Sequence, residues 1–382
     1  MTTETKSAQA RSDASGWDAI VVGGGPGGST AAWLLARGGS RTLVLDGARF
    51  PRVKLCAGWV TPSVWRALEI DPADYPRTIQ PFSRATLELD GDVLETSWDH
   101  VVSYGIIRRE FDEYLLRRAE RAGAVVREGV RVQKVERDGT GVAIEVGGGA
   151  VHRAPVVIGA GGHHCPVARA FGEISTAENV VVTQESETRV GAGKLRGLTQ
   201  RHGTPELFAE PDFRGYGWYF TKGDYLNVGI GCLGTGRDLH RRAEAMVERL
   251  RTDGRLPREV ELEPFRGHAY AVGLAPVRQV AGAGYLLVGD AAGLARGVSG
   301  EGIGPAVESA RLAATAILTE GPGAPERYAQ ALAARFGASA LDAAEGWFER
   351  LPRSVLEMAA RTVCRVPYLR RRLVFEGAFG MG

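Results

Sequence analysis

"WDAIVVGGGPGGSTAAWLLARGG", residues 17–39, decides the fold. A short apolar run breaks into glycines, and "STAAWLLARGG" then reads as a helix stopped by a glycine pair. Gly23, Gly25 and Gly28 match the spacing G-x-G-x-x-G. In that spacing the first glycine permits a tight turn. The second lets backbone approach a pyrophosphate, and the third lets the helix pack close on the strand. The helix N-terminus then presents free N–H groups and the positive end of its dipole to the phosphates. A second strand, "RTLVLD", ends at Asp46, 18 residues after Gly28, where a carboxylate can hold a ribose hydroxyl. Strand, helix, strand and terminal acid in this order read as a dinucleotide-binding unit. The motif alone does not separate FAD from NAD.

Two distant segments bear on that choice. "YLLVGDAAGLARGVSGEGIGPAVESARLAATAIL" (285–318) is an apolar strand, a Gly-Asp pair, a glycine-rich loop and a long helix. Asp290 at the strand end can accept from a ribityl hydroxyl, and the amides of the 297–304 loop can meet the pyrimidine edge of a flavin. "GIIRREFDEYLLRRAERAGAVV" (105–126) is an amphipathic helix opened by arginines and followed by a strand. Together these segments resemble the flavoprotein superfamily of aromatic hydroxylases, flavin-dependent halogenases and geranylgeranyl reductases. "GDAAGLARGVSGEGI", "FPRVKLCAGWVTP" and "YGWYFTKGDYLNVGIG" are similar to the Gly-Asp, cysteine-glycine and Tyr-x-Trp-x-Phe motifs of the geranylgeranyl reductase branch. The resemblance spans about residues 17–320 and implies FAD. It assigns Gly23, Gly25, Gly28, Asp46, Arg108, Gly289, Asp290, Gly300, Gly302 and Ile303 to the cofactor. For Arg108 the alternative is a solvated helix N-terminus, where the dipole does not favour an arginine.

The sequence also departs from that pattern. Many relatives carry "GADGxxSxVR", and this chain has "GAGGHHCPVAR" (159–169), with Gly161 in place of the aspartate and Cys165 in place of the serine. The missing aspartate weakens a hydroxylase reading and leaves NAD(P)H or a ferredoxin-like protein open as electron donor. Adjacent His163 and His164 rarely converge on one ion, so no metal is expected. Arg296-Gly297 replaces the Asn-Pro often found in reductases, and Arg296 either approaches the flavin, binds an acidic substrate group or points to solvent.

The middle of the chain reads as strands. "SRATLELDGDVLETSWD" (83–99) turns at Asp90-Gly91, and "GYGWYFTKGDYLNVGIGC" (215–232) is a hairpin turning at Lys222–Asp224. Alternation puts Tyr216, Trp218 and Phe220 on one face, as sheet core or as the side of an apolar cavity. The expected fold is α/β. A doubly wound, Rossmann-like FAD-binding domain (17–75, 100–175 and 265–325) interleaves with a mostly antiparallel substrate domain (76–99 and 176–264). A small helical region (326–382) follows, and residues 1–16 form a disordered tail. The end, "CRVPYLRRRLVFEGAFGMG", could rest on an anionic lipid surface or close the fold as an ordinary amphipathic helix.

Composition narrows the class. A length of 382 residues suggests two or three domains, and a net charge of +2 gives no field for a nucleic-acid partner. Four scattered cysteines, a polar start and no apolar run of about 20 residues point to a cytoplasmic protein, at most peripheral to a membrane. Cys56, in "FPRVKLCAGW", is expected to line or gate the site rather than act as a nucleophile, since Lys54 is only a permissive neighbour. Cys56→Ser should then slow turnover while leaving FAD bound. Cys56, Tyr216 and Trp218 are the catalytic candidates. Cys56, Tyr216 and Tyr219 are proton-donor candidates by residue type alone, and water is another. The expected reaction is saturation of isolated C=C bonds in a small-molecule or lipid isoprenoid. The alternatives are an oxygen-using monooxygenase or halogenase acting on an aromatic or polyketide, and a non-enzymatic FAD-binding sensor.

Overall fold

The first strand, Ala19–Val22, is buried along its whole length and forms the centre of a six-stranded sheet. Thr42–Asp46 and Val156–Gly159 flank it in parallel; Val125–Glu128 and Tyr285–Leu287 extend the parallel set, and antiparallel Ala281–Gly282 closes one edge. A parallel sheet covered on its faces needs continuous apolar strands, and "AIVV" and "TLVLD" supply them. The structure is a computed structural model that describes residues 16–139, 141–172, 180–191, 194–195, 201–234, 236–272, 278–337 and 352–382. The polar tail therefore lies outside the described residues except for Gly16. Helices Pro26–Arg37 and Ile303–Glu320 pack on each other beside this sheet, with Arg108–Arg121 against the first of them. Three antiparallel strands between Val132 and Ala154 add to the same core.

The second half is a seven-stranded sheet, antiparallel apart from one parallel pair, Glu206–Ala209 with Arg84–Leu89. Gly215–Lys222 and Tyr225–Leu233 form the expected hairpin, and Arg84–Leu89 pairs with Asp92–Ser97 through Asp90 and Gly91, both at positive φ. That backbone suits a two-residue hairpin turn. The boundary expected at residue 265 falls later, because Arg266–Ala271 pairs with Val180–Arg189 in this sheet. A backbone edge left open beside Val180–Arg189 captures it, which a reading of the adjacent "EPF" could not anticipate. A small sheet of Trp59–Val60, Ser103–Ile106 and Ile79–Phe82 joins the two halves.

The C-terminal segment folds back onto the seven-stranded sheet. Arg370 is buried, and its guanidinium donates to Cys364 O, Glu95 O and Thr96 Oγ1 at 2.8–3.0 Å. Arg371 and Arg372 both pair with Glu376. Phe375 and Met381 are fully buried in the aromatic cluster that contains Phe82, Trp218 and Phe220. Among the described residues no helix is long and apolar enough to cross a membrane.

Candidate functional site

Where the two sheets face each other, a cavity of about 450 Å³ runs from the glycine turn to the aromatic hairpin. Twelve of the sequence-derived site residues line it: Gly23, Gly25, Asp46, Cys56, Arg108, Tyr216, Trp218, Gly289, Asp290, Gly300, Gly302 and Ile303. Gly28 does not line it. A Cβ there would sit 1.8 Å from Gly23 O, so its place is in helix–strand packing. Gly23 has φ +110°, and a Cβ on it would come within 2.4 Å of Ala160 O. The N-cap residues of the helices that begin at Pro26 and Ile303 are Gly25 and Gly302, which have no side chain to offer as a cap. Both helix N-termini open on one cavity, and at the second of them the Glu301 carboxylate accepts from the Gly304 N–H. Asp46 accepts from Gly24 N and Ala48 N, both at 2.7 Å, which ties the strand end to the glycine turn.

Arg108 is neither solvated nor unpartnered. Its guanidinium grips buried Asp112 in a two-bond fork at 2.8 and 2.9 Å, and Arg52 approaches the same carboxylate at 3.2 Å. Burial alone would lower the Arg108 pKa; Asp112 and the neighbouring Cys56 thiol outweigh it and raise it. Arg296 turns back to Glu301 at 3.0 Å, bracing the glycine-rich loop instead of reaching into the cavity. Where relatives have an aspartate, a Cβ on Gly161 would press against the Cα of buried Cys165 at 3.1 Å. His163 and His164 form a ring pair, and among the described residues no group of three or more potential ligands could hold a metal.

The aromatic stripe divides between the two roles open to it. Phe220 is core, packed on Trp59 and Phe82. Tyr216 and Trp218 line the cavity with Trp59 and Phe379. Trp218 lies over Gly229, where a Cβ would meet its ring at 2.1 Å, and it donates Nε1–H to Asn227 Oδ1 at 2.6 Å. The Tyr216 hydroxyl donates to Ser299 O, and burial pushes its pKa up. Tyr219, a proton-donor candidate by type, is on the other face of the strand. It sits in a separate core and donates to Arg255 O at 2.8 Å, so alternation removes it from the site.

Among the cavity residues that escaped the sequence reading are Glu185, His268 and Phe379, and Lys54, named there only as a neighbour of Cys56, lines the cavity too. Lys54 Nζ donates to His268 Nε2 at 2.7 Å; burial and Arg108 lower the lysine pKa, and burial with Lys54 pushes His268 down to about 3. Glu185, in the strand Val180–Arg189, accepts from the backbone N–H of Cys56. Its carboxyl pKa is raised to about 7, mainly by burial. The single available signal was "TQESETR", a strand that puts Thr183, Glu185 and Glu187 on one face.

A profile described as an FAD binding domain matches residues 17–327. The chain belongs to that FAD-binding flavoprotein family. Among its relatives, digeranylgeranylglycerophospholipid reductase 1 of Methanopyrus kandleri is 31% identical over 306 residues, 78% of this chain and 79% of that protein. A menaquinone reductase of Mycolicibacterium smegmatis is 30% identical over 328 residues, 80% and 76% of the two chains. A solved geranylgeranyl bacteriochlorophyll reductase-like protein of Thermoplasma acidophilum superposes with a TM-score of 0.76 at 21% identity, covering 94% of this flavoprotein and 98% of the other. A halogenase in complex with FAD shares the fold at a TM-score of 0.65 and 14% identity, covering 83% and 72%. The flavoprotein is an FAD-dependent oxidoreductase of the geranylgeranyl reductase family. The residues present fit that cofactor. The bare glycine turn, the helix N-termini at Pro26 and Ile303 and the carboxylates Asp46 and Asp290 meet the polar demands of a dinucleotide at one end of the cavity.

Proposed function

We propose that this flavoprotein saturates isolated C=C bonds of an isoprenoid chain carried by a lipid, quinone or diphosphate. The observation behind this reading is the continuity of the cavity. The glycine-lined end, suited to a dinucleotide, runs without a barrier into an end framed by Trp59, Tyr216, Trp218 and Phe379, suited to an apolar chain. The names of the two reductase relatives support it. FAD, when bound and reduced, supplies the hydride.

In this reading the backbone of Gly23, Gly25 and Gly27 receives the pyrophosphate, with Arg108 beside it. Asp46 holds a ribose, and Asp290 with the Gly300–Ile303 turn holds the ribityl and ring end. Cys56 and Ala57 belong to a loop held at both ends. Glu185 accepts from Cys56 N–H, and buried Lys222 donates to Ala57 O at 2.9 Å. Such pinning orients the loop between cofactor and substrate. An unpolarised alkene offers no carbonyl for the protein to grip, so positioning carries the rate, and the aromatic residues exclude water from the reacting carbons. A lipid substrate would bring the protein to a membrane surface. Exposed Met358, Tyr368 and Leu373, with arginines nearby, are the residues available for that contact.

The test is anaerobic. The purified flavoprotein is reduced with dithionite and mixed with geranylgeranyl diphosphate, prenylated lipids or menaquinone. A product heavier by about two mass units per bond, appearing as flavin reoxidises, is expected. A flavin that stays reduced with every prenyl substrate until oxygen enters, and then oxygenates or halogenates an aromatic compound, would replace this reading. Offering NADPH, or a reduced ferredoxin, in place of dithionite identifies the electron donor.

A further inference from the structure

Saturating an alkene requires a proton as well as a hydride, and the cavity contains few groups able to give one. We propose that Glu185 is the catalytic acid that delivers this proton, an inference that rests on the reductase reading above. Its place follows from strand register. Glu185 pairs with Gly229, and Gly229 pairs with Trp218, so the three lie in one row on the same face. Gly229 has no side chain, and the space between the carboxyl and the indole is left to Trp218's ring. Glu185 is 3% exposed and lines the cavity together with Cys56, Tyr216 and Trp218.

Its surroundings favour the form that carries a proton. Lys222, the nearest lysine of the hairpin, is engaged by Glu187 and Ala57 O, and among the described residues Glu185 makes no ion pair. The other charged or titratable groups around it are Glu187 on its own strand, Arg108 on the helix below, Cys56 on the loop, and Tyr270 on the adjacent strand. Arg108 is committed to Asp112. Desolvation dominates this balance and disfavours the carboxylate, so the acid keeps its proton up to about pH 7.

One phenol and three other carboxyls of the cavity are committed elsewhere. Tyr216 has its hydroxyl proton committed to Ser299 O, and burial disfavours the phenolate it would leave. Glu301 is ion-paired with Arg296, Asp46 accepts two backbone N–H groups, and Asp290 lies against Gly302 in the cofactor-binding turn. In the reaction the C=C π bond is lost and two C–H bonds form. One hydrogen and its electron pair arrive as hydride from the reduced cofactor. The other arrives as H⁺ from Glu185, which is left as a carboxylate and is reprotonated from water.

Two readouts on the FAD-loaded protein test this. Infrared spectra over about pH 5–9 should show a protonated carboxylic-acid carbonyl band that disappears near pH 7 and is missing from Glu185→Gln. In anaerobic turnover the wild type should lose rate as pH rises through about 7, whereas Glu185→Gln should be slower by about a hundredfold or more with that step gone. A glutamine variant within a few-fold of wild type, or an acid band that persists in it, overturns the assignment. Should Glu185→Gln fail to hold FAD, Glu185→Asp carries the infrared arm, and a band unmoved by that change overturns it equally. A wild type inactive on every prenyl substrate overturns the function proposed above, and the infrared arm then decides the protonation of Glu185 by itself.

Discussion

Gly25 and Gly28 stand three residues apart and should answer differently to one added methyl group. At Gly25 a Cβ meets only the flexible end of Arg52, at 3.5 Å, whereas at Gly28 it would overlap the backbone of Gly23. Gly28→Ala is therefore expected to cost about 3 kcal/mol of folding stability through overpacking. Gly25→Ala should melt like wild type as apoprotein and bind FAD more weakly, because its Cβ stands where backbone must approach phosphate. Apoprotein melting curves and flavin content per chain check both; equal melting losses would refute the division of roles. Glu185 gives a pH prediction. Its folded-state pKa, about 7, lies above the ordinary 4.5, so folding stability falls as pH rises from about 4.5 to 7 and is level beyond. Each unit of that raise corresponds to about 1.4 kcal/mol. Glu185→Gln should gain in melting temperature over wild type between about pH 5 and pH 8; an offset that does not change with pH would contradict this.

At the scale of elements, the hairpin Gly215–Lys222 and Tyr225–Leu233 carries both the aromatic stripe and the lysine that fastens the Cys56 loop. The Lys222 side chain is fully buried, and its partner Glu187 is 24% exposed. Lys222→Met removes one member of a largely buried pair and strands the other, a change expected to cost about 3 kcal/mol. The double variant Lys222→Met, Glu187→Gln should recover part of that loss in urea titrations. No recovery would mean that the Ala57 contact, not the ion pair, carries the stability. The hairpin itself was legible in "GYGWYFTKGDYLNVGIG" because its turn and its alternation are local properties. The addition of Arg266–Ala271 to the same sheet was not, since strand pairing at a sheet edge depends on which distant segment arrives there.

At the scale of the whole molecule, the last four residues complete the site. Phe379 meets Trp59 and Tyr216 at ring-centroid distances of 5.7 and 5.5 Å, and buried Met381 anchors the segment. Deleting residues 379–382 opens the aromatic end of the cavity to solvent. The truncated protein should fold and retain FAD, because the glycine-lined end is untouched. Its reduced flavin should react with oxygen faster, and its prenyl turnover should drop at least tenfold, a loss of about 1.4 kcal/mol in positioning. Stopped-flow reoxidation in aerated buffer measures the first effect; unchanged reoxidation would show that the tail does not seal the cavity.

The glycine turn, its helix and the acid that ends the second strand were determined by sequence alone, because they fall within thirty residues and each follows from local backbone chemistry. Family resemblance added Asp290 and the Gly300–Ile303 turn, which line the same cavity as the glycine turn. What only the tertiary structure decided is the other half of the site. Cys56 meets Glu185 across 129 positions of chain, Lys54 meets His268 across 214, and Phe379 reaches the cavity from the far end of the sequence. Alternation tells which face of a strand a side chain occupies, but not what that face looks upon. The packing of one sheet against the other settled that, and with it which buried carboxyl stands beside the cysteine.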